Sequence, residues 1–366
     1  MRVLEIAASL KIGGAEKIAR DIGYYINPDF YQTDYVVFGD ETGEYEKELQ
    51  EKGCNIYHLP QPSSNYINYL KELYKLIKSN KYQVVHSHTM FNSGWAMLIA
   101  KICGVPIRIS HSHSVDKQPD KTLVQRLYEK VMQLIIVSFS THYIGCGVKA
   151  GEILFGKNRY HKKGVTVLNG INTKKFAYSE TSREEIRKML DVTNNFVIGH
   201  VGHLANVKNQ SFLISLMPKI LAKNKNATLL LLGEGEDRQK LEKQIIDLDL
   251  SQNIIMTGNV TYVHKYLSAM DVFVFPSLYE GMPLSVIEVQ TNGLPCVMSD
   301  GVPQDVVLTD LIRRLSLKES EDVWVEAICN SKRCSPHIYE EKIRNLGLDT
   351  EEMVNKISNL YCEKLV

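Results

Sequence analysis

Short apolar runs alternate with amphipathic stretches along the whole chain. The runs predict buried strands at 4–8, 34–38, 54–58, 83–86, 107–110 and 142–146, and again at 196–202, 227–232, 254–257, 272–275 and 296–299. Between them apolar residues recur at helical spacing, as in Ile18, Ile22 and Ile26. Such alternation predicts the α/β class, with doubly wound parallel sheets that bind ligands at the carboxyl ends of their strands.

The alternation is interrupted at residues 173–182, which are rich in turn formers and show little periodicity. A chain of 366 residues is also too long for one compact core of ordinary size. We therefore predict two Rossmann-like domains, 1–172 on the acceptor side and 173–344 for the donor. In this prediction they face each other across a cleft that holds two substrates. A helical pattern over 345–366 is expected to pack back on the first domain.

Composition narrows the class of protein. A hydrophobic content of 44% and a charged content of 23% are typical of a globular protein. The longest apolar run, 134–137, is too short to span a membrane, and the N-terminus predicts a strand rather than a signal peptide, so a cytoplasmic location is expected. The seven cysteines show no spacing typical of zinc ligands, which favours free thiols in a reducing compartment.

The charge is small overall but unevenly distributed. A net charge of +1 argues against general nucleic-acid binding. Residues 1–172 nevertheless carry 21 Lys and Arg against 16 Asp and Glu, and a basic loop is expected at 157–163. This half could contact anionic lipid at the inner face of a membrane, or a phosphorylated acceptor, although a solvated surface without a partner explains the charge equally well.

The most informative polar stretch follows the predicted strand at 272–275. It reads Glu280-Gly281-Met282-Pro283-Leu284-Ser285-Val286-Ile287-Glu288. A helix is expected to start near Pro283, where the missing N–H of a first helical residue costs nothing, and its free amides form an anion site. Glu280 and Glu288, on either side of this site, could then accept hydrogen bonds from hydroxyl groups. This arrangement suits a nucleotide-sugar, whose diphosphate lies between a ribose and a hexose. A surface helix with two solvated carboxylates is the alternative.

Glycine turns follow two other predicted strands. Gly233-Glu234-Gly235 comes after four leucines and fits a loop that approaches a nucleotide closely, although a plain tight turn fits as well. Gly13-Gly14 lies between the first strand and the first helix, where Glu16 could be a charge at the helix start.

The stretch from 280 to 288 resembles the E-x7-E motif of the retaining family 4 glycosyltransferases, which have the two-domain GT-B fold. Phe275-Pro276-Ser277 before it and Asn292-Gly293-Leu294-Pro295 after it also resemble the family pattern. The variant with proline in the middle, Glu280-Gly281-Met282-Pro283-Leu284, resembles bacterial exopolysaccharide and capsule enzymes in particular. The resemblance implies that Glu280 contacts hydroxyls of the donor sugar and that Glu288 contacts the ribose. The donor-binding residues implied between them are Gly281, Met282, Leu284 and Ser285, through their main chain.

The resemblance also implies roles elsewhere in the chain. Lys208 would neutralise the donor diphosphate, together with an arginine five residues earlier, where this sequence has His203. Gly13 and Gly14 would let the main chain approach the donor phosphate or the acceptor, and the loop from Gly233 to Gly235 would lie near the base.

Histidines end two of the predicted strands. His86 and His88 lie in one segment, and His111 and His113 in another. The resemblance implies a histidine beside the reacting sugar, and strand alternation puts His111 and His113 on one face, so that one could touch the sugar and the other orient it. No carboxylate lies near them in sequence to complete a metal site, and this family needs no metal.

The predicted function is therefore a metal-independent, retaining transfer of a sugar, with no cofactor. The donor is a nucleoside-diphosphate sugar, expected to be UDP-linked, and the acceptor is a hydroxyl of a polysaccharide or glycolipid. Glu280, Lys208 and one of His111 and His113 are the predicted catalytic residues. A nucleotide-sugar epimerase of the same fold is one alternative. A non-catalytic donor-binding subunit is another, favoured by His203 in place of arginine.

Overall fold

The computed structural model describes residues 1–113, 122–333 and 335–363. The chain forms two compact units, one comprising residues 1–170 and 350–366 and the other residues 171–349. Each unit contains its own parallel sheet.

The sheet of the first unit has seven strands, in the order β3-β2-β1-β4-β5-β6-β7. The strands are β1 Arg2–Ile6, β2 Gln32–Phe38, β3 Asn55–Leu59, β4 Val84–Ser87, β5 Ile107–Ser112, β6 His142–Gly145 and β7 Gly164–Thr166. The helices between them are α1 Gly14–Tyr25, α2 Glu46–Glu51, α3 Tyr66–Asn80, α4 Ser93–Ile102, α5 Leu123–Phe139, α6 Val148–Phe155 and α7 Lys157–Lys163. The expected basic loop at 157–163 is thus a short helix.

The sheet of the second unit has six strands, in the order β10-β9-β8-β11-β12-β13. They are β8 Phe196–Val201, β9 Ala227–Leu232, β10 Ile254–Gly258, β11 Val272–Phe275, β12 Cys296–Ser299 and β13 Ile312–Leu315. The helices of this unit are α8 Thr173–Phe176, α9 Glu180–Met189, α10 Gln210–Lys223, α11 Arg238–Asp247, α12 Val263–Ala269, α13 Leu284–Thr291, α14 Glu321–Cys329 and α15 Ile338–Asn345.

The predicted fold class is confirmed, because both sheets are parallel and flanked by helices. Strands β9 and β11 are buried along their whole length, as expected from their nearly continuous apolar sequences. In each sheet the strand order reverses next to the first strand of the unit, between β1 and β4 and between β8 and β11. Ligand sites of doubly wound sheets form at such points.

The last helix, α16 (Thr350–Tyr361), belongs to the first unit. It packs against α1 and buries Ile357 and Tyr361 in the same apolar cluster as Ile18 and Ile22. It begins at Thr350 rather than at 345, because Gly347 adopts a φ of 75° and ends the preceding helical stretch. No helix among the described residues is both long and apolar enough to cross a membrane.

Candidate active site

The predicted donor-binding residues of the second unit lie on the segments that follow β8, β9 and β11 and in the first two turns of α13. Main-chain hydrogen bonds join these segments. The N–H of Leu204, after β8, donates to the carbonyl of Glu234, after β9, over 2.8 Å. The N–H of Leu278, after β11, donates to the carbonyl of Val207 over 2.8 Å. Residues far apart in sequence are therefore held together at the carboxyl ends of these strands.

The two glycines after β9 are required by this packing. Gly233 has a φ of 136°, which favours glycine, and a Cβ there would overlap the carbonyl oxygen of Gly202. A Cβ at Gly235 would overlap the carbonyl oxygen of Leu204. Close contact between the loops thus explains both glycines, and a bound nucleotide is not needed to account for them.

Lys208 and Glu280, predicted separately as donor-binding residues, form an ion pair. The Lys208 Nζ donates to Oε1 of Glu280 over 2.6 Å, and the two side chains are 20% and 13% exposed. The same Nζ lies 5.0 Å from the centroid of the Phe275 ring. A lysine ammonium has three hydrogens to donate, so it can bind an anion while it remains close to Glu280.

Helix α13 begins at Leu284, next to Pro283, near which its start was predicted. Pro283 is its N-cap, with an extended conformation (φ −72°, ψ 108°), rather than its first helical residue. Leu284 and Ser285 therefore carry the first two helical amides, which favour an anion. Glu288 lies in the second turn of α13 and is partly exposed.

His203, at the position where the resemblance implies arginine, is mostly exposed. Its Nε2 lies 2.7 Å from a carboxylate oxygen of Glu236, on the loop after β9. The imidazole is thus paired with an acidic residue on the protein surface, and its charge depends on protonation, whereas an arginine would be always charged.

In the first unit, Gly13 and Gly14 lie at the start of α1. Gly13 is the N-cap and is extended, and a Cβ there would overlap the carboxylate of Glu16. A Cβ at Gly14 would meet no atom within 4 Å. The main chain at Gly14 is therefore open to approach.

The four candidate histidines of this unit form one cluster at the ends of β4 and β5. The ring centroids of His111 and His113 are 4.0 Å apart, those of His86 and His88 are 4.3 Å apart, and those of His88 and His113 are 5.0 Å apart. The two histidines of each segment are two residues apart, so their side chains lie on the same face of the sheet. Because β4 and β5 are neighbouring strands, the two pairs of histidines lie side by side.

Two further residues, which the sequence analysis missed, complete the cluster. Glu5 of β1 is fully buried, and its carboxylate accepts from His88 Nε2 and from the Tyr361 hydroxyl, both over 2.7 Å. Burial alone would raise the pKa of Glu5, but His86 and His88 lower it to about 2. The signal for Glu5 was its charge inside an apolar strand, since an unpaired buried carboxylate is costly.

The hydrogen bonds determine the tautomers of this cluster. Burial and the neighbouring His86 lower the pKa of His88 to about 4, so its ring is neutral and carries one hydrogen. Because ionised Glu5 can only accept, that hydrogen is on Nε2 of His88. His88 Nδ1 therefore accepts from His113 Nε2–H, over 2.8 Å. The Nδ1 of His113 is left with a lone pair and has no partner within the described part of the chain.

His111 and His113 differ in their surroundings. His111 is fully buried, and neither of its ring nitrogens has a hydrogen-bond partner among the described residues. His113 is partly exposed and is oriented by the chain from Glu5 through His88. Burial and the neighbouring histidines hold the pKa of both rings well below the usual range. Both rings are thus neutral at neutral pH, each with one N–H donor and one acceptor nitrogen, and only His113 has a determined orientation.

The cluster also bears on metal binding. Ring nitrogens of His86, His88 and His111 lie within 4.8 Å of one another, so three imidazoles could serve a transition-metal ion such as Zn²⁺. His88, however, already uses both nitrogens, with Glu5 and His113. The expectation of a metal-free enzyme stays a prediction.

Comparison with known proteins gives matches over both units. Residues 12–175 match Glycosyltransferase Family 4, and residues 182–332 match Glycosyl transferases group 1. EpsF of Bacillus subtilis, named as a glycosyltransferase, is 30% identical over 98% of this chain and 96% of its own length. The Escherichia coli UDP-Gal:α-D-GlcNAc-diphosphoundecaprenol α-1,3-galactosyltransferase is 27% identical over 81% of this chain and 79% of its own. Among solved structures, HepE of Anabaena in complex with UDP has a TM-score of 0.82 and 18% identity, over 98% of this chain and 99% of HepE.

Proposed function

Because this chain belongs to the family 4 and group 1 glycosyltransferases and has their GT-B fold, we propose that it transfers a sugar from a UDP-linked donor to a hydroxyl of a polysaccharide or glycolipid, with retention. Two matches support the choice of donor. HepE was solved with UDP, and the name of the E. coli relative contains UDP-Gal. Both relatives by sequence are named as transferases, which favours transfer over epimerisation or donor binding alone.

The ion pair between Lys208 and Glu280 is the observation that carries this proposal. Transfer breaks the bond between the anomeric carbon and a diphosphate oxygen, so negative charge develops on the leaving group. Lys208 and the amides of Leu284 and Ser285 would neutralise that charge. When Lys208 turns to the diphosphate, Glu280 becomes available to a sugar hydroxyl, and Glu288 accepts from the ribose.

The acceptor contributes a hydroxyl, whose proton has to leave as the new glycosidic bond forms. In the front-face route the departing phosphate oxygen takes this proton, so no covalent intermediate with the protein is formed. His113, oriented by its hydrogen bond to His88, would lie beside the reacting sugar, and His111 would pack behind it. The protein's part is then positioning and neutralisation of charge, without a metal.

The acceptor is proposed to be linked to a lipid. The name of the E. coli relative includes a diphosphoundecaprenol acceptor. Such a substrate lies in a membrane, so we propose that the enzyme contacts the inner face through its basic first half.

Nucleotide binding by two variants tests the donor site. Lys208→Ala should weaken both UDP and UDP-sugar binding by about tenfold or more, since it removes a charge from the diphosphate. Glu280→Gln should keep or strengthen UDP binding, because it frees Lys208, and should abolish any additional affinity for the sugar. Titration calorimetry, after a thermal-shift screen of nucleotide-sugars, measures both effects.

Transfer activity is the second measurement. Each variant should lower kcat/KM by about a hundredfold or more, while Lys219→Ala should stay near wild type. Lys219 is a matched control, because its ammonium pairs with Glu321 and Asp322 on an exposed surface. Near-normal transfer by both Lys208→Ala and Glu280→Gln would contradict the proposed site.

A further inference from the structure

Helix α5 carries apolar side chains on two opposite faces. Met132 and Ile136 are buried in the first unit. On the other side lie exposed apolar residues, which we call the α5 stripe: Leu123, Val124, Leu127, Val131 and Leu134, with exposed fractions of 43% to 83%. A surface helix normally turns polar residues to solvent, so this face needs another explanation.

The α5 stripe is continuous along the helix. At about 100° per residue, its five side chains lie within an arc of about 100°, while Met132 and Ile136 lie on the opposite side. The helix has 17 residues and is therefore about 26 Å long. The stripe runs over most of this length, which distinguishes it from scattered exposed leucines.

Basic residues border one side of the α5 stripe and recur on the two helices that follow α5 in the chain. Arg126 and Lys130 border it on α5 and are exposed. The helix packs against α6, which packs against α7. From 122 to 163 the chain contains seven Lys and Arg residues, all of them exposed, and two Glu residues. An apolar face beside clustered positive charge is typical of a helix that lies in the interface of an anionic membrane.

We propose that the α5 stripe inserts into the surface of an anionic lipid bilayer, with the basic side chains of α5, α6 and α7 on the lipid headgroups. A second copy of the chain fits less well, because a symmetric dimer through this face would bring the positive charges of both copies together. Lipid phosphates neutralise them instead. The inference deepens the proposed function, on which it rests for its biological purpose, since a membrane-bound acceptor would be met at this surface.

Vesicle binding by the whole protein tests the proposal. Flotation with phosphatidylcholine vesicles is compared with flotation on vesicles that also contain phosphatidylglycerol. The wild type should partition at least about tenfold more strongly onto the anionic vesicles, and high salt should weaken this binding. The double variant L127Q/L134Q, which changes no charge, should lose about tenfold or more of the partition. Binding to neither kind of vesicle would overturn the proposal.

A matched control separates this surface from apolar exposure in general. Ile246→Gln replaces a side chain that is 69% exposed on α11 of the second unit, and it should partition like the wild type. Equal partition of wild type and L127Q/L134Q would overturn the proposal. A dimeric wild type that becomes monomeric in L127Q/L134Q would overturn it in favour of a second copy.

UDP calorimetry on the same samples distinguishes this test from that of the proposed function. L127Q/L134Q should bind UDP like the wild type, because the α5 stripe contains no proposed donor residue. Loss of vesicle binding with UDP binding kept is the expected result. If the wild type binds anionic vesicles but no nucleotide, the proposed function is contradicted and the proposal of a membrane-binding surface is still supported.

Discussion

The protonation of the histidine cluster depends on one residue, Glu5. Its carboxylate is ionised and only accepts, so it determines the hydrogen on His88 and, through His88, the lone pair of His113. An amide at this position would donate as well as accept, and the tautomers would no longer be determined.

We therefore expect Glu5→Gln to lower kcat by about tenfold to a hundredfold, with little change in the KM for the donor, because His113 loses its orientation. Nitrogen NMR of the histidine rings measures the tautomers directly, and a general loss of stability would not change them. In the wild type His88 should be the Nε2–H tautomer, and in Glu5→Gln this signal should be mixed or lost. An Nδ1–H tautomer of His88 in the wild type would contradict the chain of hydrogen bonds.

The same cluster predicts a loss of stability in acid. The pKa of His88 is about 4 in the folded protein against an ordinary 6.5, so the unfolded chain binds more protons between these values. The contribution of neutral His88 to the free energy of unfolding is therefore complete above pH 6.5, and it is lost as the pH falls towards 4. His88 alone should lower the free energy of unfolding by about 2 kcal/mol at pH 5 relative to pH 7.5.

Urea unfolding at the two pH values measures this change. His88→Asn has no ring to protonate there, and its free energy of unfolding should fall less between the same two values. The prediction fails if wild type and variant fall equally.

At the scale of elements, the loops after β8 and β9 depend on the absence of side chains. Gly235→Ala would force a methyl group against the Leu204 carbonyl, and we expect it to destabilise the protein by about 1–3 kcal/mol and to weaken UDP binding. Gly147→Ala is the control, because a Cβ there meets nothing within 4 Å and its backbone is extended. Denaturation and UDP calorimetry compare the two. Wild-type stability of Gly235→Ala would show that the loops can separate without cost.

Elements with a strong apolar pattern were predictable from sequence, and those without one were not. Strand β11 is an unbroken apolar run and β9 is apolar except for Thr228, and both were predicted. Strand β13 was missed, since Arg313 and Arg314 interrupt its pattern, which an edge strand paired only with β12 tolerates. The start of α13 was predicted near Pro283, but not whether proline is its N-cap or its first helical residue, because proline suits both positions.

The candidate site was predictable as a set of residues but not as a set of contacts. Spacing and resemblance indicated Lys208 and Glu280 separately, and their ion pair follows from the loops after β8 and β11 meeting in space. Sequence alternation put His111 and His113 on one face but could not distinguish them. The distinction comes from the hydrogen bonds that run from Glu5 through His88 to His113 and do not include His111.

For the whole molecule, metal independence remains the prediction most open to test. We expect transfer to be unchanged after treatment with a chelator and dialysis, because Lys208 and the amides of α13 would neutralise the leaving diphosphate. Elemental analysis of the same sample should find substoichiometric zinc. Activity that is lost and then restored by Mg²⁺ would show that a missing charge at His203 is supplied by an ion. Restoration by Zn²⁺ would point instead to the histidine cluster.

The return of α16 to the first unit has a consequence for synthesis of the protein. Glu5 is translated before the second unit, and Tyr361, which donates to it, is translated only after residues 171–349. A nascent chain therefore holds Glu5 and the four histidines without their last partner while the second unit is translated and folds. The order of translation thus delays completion of this cluster until the second unit already exists.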